Sequence, residues 1–432
     1  MRVSPRLAAV SDRLFQIAFV CLAFFIPFGI AGVNASLGLA LLAWILWKFA
    51  GSPRNDAPYA ATRDRFLLAS LVLVLSALPS VLMSDDTARA FKDWKSYWQL
   101  AVCFLVGGHI VRVRVRDAAF WTLAASSALA CGLAFLQRAG GLELGPIRIA
   151  AEHRVGGTLY TTTFAGVLYQ MIVLHAAMAA TPRIGSGRRL LVVILVAEFA
   201  ALLFTMTRGA WLALFAGVAV LAVTLRSRTV AVAGVLGVAI LVAFTLFYAR
   251  DQGRTIAVTT MATSEPDRNV GTRLVLWDMS WHMFLDHPLL GVGMGDYSTE
   301  AAQRLQGRAA RTTVDSHNVF LHVLATRGLL GFVPLVAYFA ALVAMLIGLV
   351  RRSEKGSLER HYAAGALAVT AAVLAGSLTE NNIDDSEVFL AYMFIVGLAR
   401  SGLVMRRAST KAADAANMHM AGSMGMRERS EP

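Results

Sequence analysis

R-S-R-T-V-A-V-A-G-V-L-G-V-A-I-L-V-A-F-T-L-F-Y-A-R, from Arg226 to Arg250, is the stretch that decides the fold class. Residues 229–249 carry no charge, and an apolar run of about 20 residues is long enough to cross the hydrocarbon of a bilayer as a helix. Runs of this kind recur at roughly 14–33, 34–50, 66–83, 98–111, 118–137, 158–180, 190–206, 209–225, 229–249, 328–350, 361–379 and 387–405. Hydrophobic residues make up 57% of the 432 positions and the mean hydropathy is +0.60, which excludes a soluble globular chain. The reading is an all-α polytopic membrane protein with about 12 transmembrane helices and one large loop that contains helices of its own.

Charge sets the orientation. Lys and Arg fall in alternate loops, at Arg2, Arg6 and Arg13, at Lys48, Arg54, Arg63 and Arg65, and at Arg112, Arg114 and Arg116. The pattern continues through Arg183, Arg188 and Arg189, then Arg226 and Arg228, then Arg351, Arg352, Lys355 and Arg360, and ends at Arg406, Arg407 and Lys411. The positive-inside rule makes these loops and both termini cytoplasmic. The predicted organisation is a cytoplasmic N-terminus over 1–13, helices 1–9 over 14–249, and a far-side loop over 250–327. Helices 10–12 follow over 328–405, and a disordered cytoplasmic tail over 406–432. The N-terminal run lacks an A-x-A cleavage site and reads as a retained helix.

The net charge of +13 is mostly arginine beside helix ends, where it orients the chain against anionic lipid, so nucleic acid is not an expected partner. Cys21, Cys103 and Cys131 sit inside apolar runs and read as packing residues. His153, His282, His287 and His322 have no zinc spacing, so no metal and no cofactor are predicted. Asp85, Asp86 and Asp93, interleaved with Arg89, Lys92, Trp94, Lys95 and Trp98, make an amphipathic stretch suited to the membrane surface.

Ionisable groups near hydrocarbon that do not serve topology are costly and point to function. Four such groups map to the far side. They are Glu152-His153-Arg154, the Thr207-Arg208-Gly209 turn, Arg268 with Arg273 in the long loop, and Asp315-Ser316-His317; Glu380 and its acidic neighbours share that side. Arg208 and Arg154 have a plain alternative as snorkelling anchors on lipid phosphate. Several converging arginines instead suit a pyrophosphate, because the guanidinium fork donates two parallel hydrogen bonds. In the long loop, Val270, Leu274, Trp277, Trp281 and Phe284 form a helical stripe that Asp267 or Asn269 caps and Pro288 stops. Such a stripe packs on the membrane domain or lies in the interface. The following Gly291-Val292-Gly293-Met294-Gly295 reads as a tight turn, since no strand precedes it.

His317-Asn318 stands nine residues ahead of a G-x-x-G that ends at Gly331. Asp315 or Ser316 as helix cap places His317 in the first turn, where the positive end of the helix dipole keeps the ring neutral and fit to act as a base. On that reading the base is lost below about pH 6 to 6.5, where an ordinary imidazole protonates.

Three motifs together resemble the O-antigen ligase family of bacterial lipopolysaccharide assembly, part of a superfamily with O-antigen polymerases and protein oligosaccharyltransferases. They are T-R-G at Thr207 to Gly209, R-N-V-G-T-R-L-V-L-W-D-M-S-W-H-M-F-L-D-H-P-L-L-G-V-G-M-G-D-Y from Arg268 to Tyr297, and the H-N and G-x-x-G pair from His317 to Gly331. The resemblance implies an inner-membrane glycosyltransferase with a periplasmic active site. It would take a polysaccharide from undecaprenyl pyrophosphate and join it, with inversion, to a sugar hydroxyl of lipid A-core, without nucleotide sugar, ATP or metal. The family's histidine corresponds to His317 and its arginines to Arg208 and to Arg268 or Arg273, between which the sequence does not choose. Arg154, Asn318 and Asp315 are the expected substrate-binding residues, with Asp315 or another carboxylate orienting His317. An O-antigen polymerase or a protein oligosaccharyltransferase shares donor and scaffold and differs in acceptor. A lipid-linked glycan transporter fits less well, because the unexplained charges gather at one face.

Overall fold

The computed structural model describes residues 5–50, 64–109, 113–140, 154–251, 268–304 and 315–403. Its helices are α1 (Pro5–Phe25), α2 (Ile30–Ala50), α3 (Arg65–Ser76), α4 (Leu78–Leu82), α5 (Thr87–Lys95), α6 (Leu100–His109), α7 (Val113–Gly140) and α8 (Thr161–Ala179). There follow α9 (Gly187–Phe204), α10 (Arg208–Leu225), α11 (Arg228–Asp251), α12 (Arg268–Asp286), α13 (Tyr297–Arg304), α14 (Val319–Arg352), α15 (Leu358–Gly376) and α16 (Ser386–Leu403). Among the described residues there is no strand, and nine helices are long and apolar enough to cross a membrane. The chain is an all-α polytopic membrane protein.

Three expected spans are helical but fall outside those nine. Ten residues of α6 are described, α9 opens with Arg188 and Arg189 and carries Glu198, and α15 opens with Glu359 and Arg360. The first boundary also differs from expectation. The chain turns at 26–29 rather than at 33–34, because Pro27 cannot continue α1 and Gly29 takes a φ of +137°.

Burial separates a central layer from a lipid-facing rim. The spanning windows of α8 and α16 are 83% buried, whereas that of α11 is 6% buried. An apolar helix left uncovered on nearly every side belongs against hydrocarbon. Within the centre, α15 packs against α8, α10 and α14. Its buried alanines Ala363, Ala364, Ala366, Ala368 and Ala372 let these backbones approach closely where no water drives association. An ionisable pair not singled out in the sequence is buried between α8 and α9. Glu198 of α9 accepts from Ser127 of α7 at 2.5 Å and faces His175 Nδ1 of α8 at 2.9 Å. All three side chains are fully buried, so the partners offset a desolvation that either alone would not survive.

The segment after α12 is fastened to the bundle through a break in α14. Gly328 has a φ of +56° inside that helix, which frees backbone groups on both sides of it. The carbonyls of Ala325 and Thr326 accept from the N–H groups of Val292 and Gly293 at 2.8 and 3.2 Å, and the N–H groups of Leu329 and Leu330 donate to Pro288 and Leu289 at 2.9 and 3.0 Å. Residues 288–293 therefore satisfy what the break exposes, as buried backbone requires. The expected domain boundary at 328 falls on this break, and the helix itself begins earlier, at Val319.

The 291–295 segment, expected as a tight turn, turns only at 294–295; residues 292 and 293 run along the break in α14, and Gly291 has a φ of +70°. A Cβ there would stand 2.2 Å from the carbonyl carbon of Thr326. Backbone on the other side leaves no room to yield, so Gly291→Ala is expected to destabilise by about 2 kcal/mol or more. A lowered melting temperature in detergent checks this; an unchanged one contradicts the close packing.

The stripe expected on the loop helix is partly exposed, with Trp277 and Phe284 half-buried. The helix forms over Arg268–Asp286, but Leu276, Met279 and Met283 are its buried face, packed with Tyr297, Ala301 and Ala325. Leu274, Trp281 and Leu285 are exposed. Of the proposed caps, Asn269 lies inside the helix and Asp267 lies outside the described residues, as does the tail from 406.

Candidate functional site

Three segments meet at Glu380, in the loop between α15 and α16. The first is the turn from Met206 into α10. Met206 has a φ of +53°, and the turn is braced by Arg154, whose Nε donates to the Thr205 carbonyl at 2.8 Å and whose NH2 donates to Thr207 Oγ1 at 3.1 Å. Gly209 places this turn against the Glu380 loop, since a Cβ on it would lie 2.2 Å from Thr379 Oγ1 and 3.9 Å from Glu380 Cγ. Arg208 is the exposed first residue of α10. Arg154 thus spends two of its nitrogens on the turn that carries Arg208, and it acts on the site through that turn.

The second segment is α12, where the Arg273 guanidinium donates to Glu380 Oε1. Arg268 is the first residue of the same helix, and its side chain lies outside the described residues.

The third segment is 315–318. The His317 N–H donates to Asp315 Oδ1 at 2.7 Å, and its Nδ1 lies 3.2 Å from Glu380 Oε2 and 3.7 Å from Asp315 Oδ1. The expectation that Asp315 or Ser316 caps the helix is corrected. The cap is Asn318, whose Oδ1 accepts from the N–H groups of Phe320 and Leu321 at 3.0 and 3.1 Å, while its Nδ2 donates to the Leu378 carbonyl at 3.2 Å. Asn318, expected to bind substrate, is a buried cap that ties 315–318 to the Glu380 loop. The N–H of Val319 adds a bond to the Ser377 carbonyl at 2.9 Å.

His317 consequently sits ahead of the first helical turn, with a φ of +50°. This left-handed backbone is uncommon for a residue with a side chain and costs of order 1 kcal/mol or more, which neighbouring bonds must hold in place. Its electrostatics also differ from expectation. The hydrogen bond to Glu380 raises the imidazole above its ordinary value; burial works against this rise, Asp315 adds to it and Arg273 opposes it. The helix end does not keep this ring neutral, because the ring stands before the helix and against a carboxylate.

Glu380 was visible in the sequence only as one acid among several. Its position as the common partner of His317 and Arg273 comes from tertiary packing, since the ligating atoms are brought from 273, 317 and 380. Its side chain is 17% exposed against 46% for His317. The arrangement is a titratable ring open to solvent, oriented from behind by a largely buried carboxylate, with arginines on two adjoining segments. Such a group supports proton abstraction beside a bound anion.

These features define a multi-pass, all-α membrane protein with a histidine and arginine site at one end of its helix bundle. Residues 190–336 match the family model described as O-Antigen ligase, the family that the three sequence motifs resemble. This segment runs from α9 into α14 and contains Arg208, Arg273 and His317; Arg154 and Glu380 lie outside it. The match places the segment in the O-antigen ligase and polymerase superfamily and implies ligation of the glycosyltransferase type. No match to a curated protein was found.

Proposed function

We propose that this protein is an O-antigen ligase of the bacterial inner membrane, transferring polysaccharide from undecaprenyl pyrophosphate to a sugar hydroxyl of lipid A-core at the periplasmic face. The observation that carries the reading is the meeting of His317 and Arg273 on Glu380, with the Arg208 turn packed against the same loop. With the Nδ1–H of His317 donated to Glu380, the lone pair on Nε2 is left to take the proton of the acceptor hydroxyl. The hydroxyl oxygen forms a bond to the anomeric carbon of the donor. The bond from that carbon to the pyrophosphate oxygen breaks, its electron pair stays with the leaving group, and the configuration inverts. Arg208 and Arg273, with Arg268, hold the charge that develops on the pyrophosphate. Arg273 is the stronger candidate of the α12 pair, because its guanidinium already reaches Glu380. Arg154 and Asn318 position these groups, and Asp315 fixes the backbone of His317.

Glu380→Gln gives this reading a pH signature. The active form is the neutral ring, and Glu380 raises the pKa of that ring, so wild-type transfer falls as pH drops through a value above the ordinary imidazole value of about 6.5. An uncharged amide removes the principal cause of the rise. The acid limb of the variant is expected at lower pH than that of the wild type, together with a reduced maximal rate; an acid limb that stays in place separates Glu380 from the base.

Deletion of the gene tests the physiological reaction. Loss of capped lipopolysaccharide with accumulation of undecaprenyl-linked polymer supports ligation. Capped lipopolysaccharide bearing a single repeat unit points instead to polymerisation, and unchanged lipopolysaccharide with altered glycoproteins points to transfer onto protein.

A further inference from the structure

A second polar cluster lies beside this site and has no part in the mechanism above. Arg327 and His322 project from the first turns of α14 and are 4% and 8% exposed. The Arg327 guanidinium donates to the Tyr97 hydroxyl, and the His322 ring lies 4.8 Å from the ring of Tyr297. Among the described residues, Arg327 Nε and His322 Nδ1 are buried without a hydrogen-bond partner. Both side chains face Asp384. His322 Nε2 is 3.9 Å from Asp384 Oδ2, and Arg327 NH2 is 3.9 Å from Asp384 Oδ1.

Those two distances are too long for hydrogen bonds and short enough for one oxygen atom to bridge. Arg327 is buried, and beyond the Tyr97 ring and hydroxyl it meets Asp384 only at that longer spacing, so Asp384 compensates its desolvation incompletely. Asp384 is 37% exposed, so the gap opens outward. A second carboxylate, Asp93 of α5, interacts with this set through its charge: burial and then Asp384 raise its pKa, and Arg89, Arg327 and Lys92 oppose the rise. A hydroxyl satisfies this set in a way that an anion or a cation does not, because it donates to Asp384 while it accepts from Arg327 or His322.

We infer that Asp384, His322 and Arg327 form a subsite for a sugar hydroxyl of one of the two glycans that meet at His317. The inference rests on the glycan-transfer reading of the site. The chain ties the two places together. Glu380 and Asp384 share one loop, across which Asn381 Nδ2 donates to Asp384 Oδ2 at 2.8 Å. His317 and His322 flank the start of α14, where the His322 N–H donates to the Asn318 carbonyl at 2.8 Å. A sugar fixed at Asp384 is therefore fixed relative to the proposed base.

The test uses the full-length protein in detergent with two probes, rough lipopolysaccharide bearing a complete core and undecaprenyl-pyrophosphate-linked O-antigen. Dissociation constants are measured for each probe with wild type, Asp384→Asn and His322→Gln, and transfer is measured in parallel. Asn keeps the shape of Asp384 and loses the charged acceptor, so a weakening of roughly tenfold or more is expected for one probe. The other probe and the melting temperature stay near wild-type values. Weakened lipopolysaccharide binding assigns the subsite to the acceptor, and weakened binding of the lipid-linked glycan assigns it to the donor. Unchanged affinity for both probes, or a loss that tracks a lowered melting temperature, makes the cluster a structural latch between α5 and α14 and overturns the inference. Wild-type protein that binds a probe through Asp384 but transfers nothing refutes the ligase reading and leaves the subsite standing.

Discussion

His317→Ala is expected to lower transfer from lipid-linked O-antigen to lipid A-core by about 10² to 10⁴-fold, the usual contribution of a positioned general base. The loss should be in kcat rather than in affinity for the lipid-linked donor, since the proposed pyrophosphate contacts come from other residues. Folding should survive the change. The ring is 46% exposed and its hydrogen bond is to Glu380, which keeps Arg273 as a partner. Because the backbone here has a φ of +50°, His317→Asn is the matching control. Asn tolerates that conformation well and supplies no base. Equal loss in both variants, with unchanged melting temperatures, locates the effect in the chemistry. Substantial transfer by either removes His317 from the role of base.

Arg208→Lys carries the next largest effect. An arginine at the first position of α10 places a cation at the positive end of a helix, an orientation that the helix dipole alone disfavours. A bound phosphate reverses that balance, because the helix end and the guanidinium then attract the same anion. Lysine keeps the charge and loses the fork that grips two oxygens. A drop of roughly 10 to 100-fold in kcat/KM is expected, consistent with one charge-assisted hydrogen bond, in protein that still inserts and purifies. Near-normal activity returns Arg208 to the role of a lipid anchor.

The fold class was legible because hydrocarbon imposes one local rule, and apolar runs such as 229–249 obey it without reference to the rest of the chain. Arg208, Arg273 and His317 were legible as charges that topology left unexplained. The partner of the last two was not, since Glu380 lies in another loop, and the loop is brought there by Asn318 and Val319 bonding back to residues 378 and 377. The cap was misread for a related reason. Asp315, Ser316 and Asn318 can all cap a helix, and the choice of Asn318 turns His317 out of the helix and toward the carboxylate. Periodicity found α12 and left its stripe either packed on the bundle or lying in the interface, since a row of large apolar residues suits both; the face that is buried is the Leu276, Met279 and Met283 row. The Arg327 cluster escaped notice because its residues come from three separated segments, of which α5 read only as a surface helix.

Reconstitution of the purified protein in proteoliposomes, with undecaprenyl-pyrophosphate-linked O-antigen, rough lipopolysaccharide and excess chelator as the only additions, tests the central claim most directly. The account predicts O-antigen joined to the lipid A-core sugar with the anomeric configuration opposite to that of the donor, and release of undecaprenyl pyrophosphate in equal amount. Absence of that product, its dependence on a metal ion, or retention of the donor's configuration would contradict it.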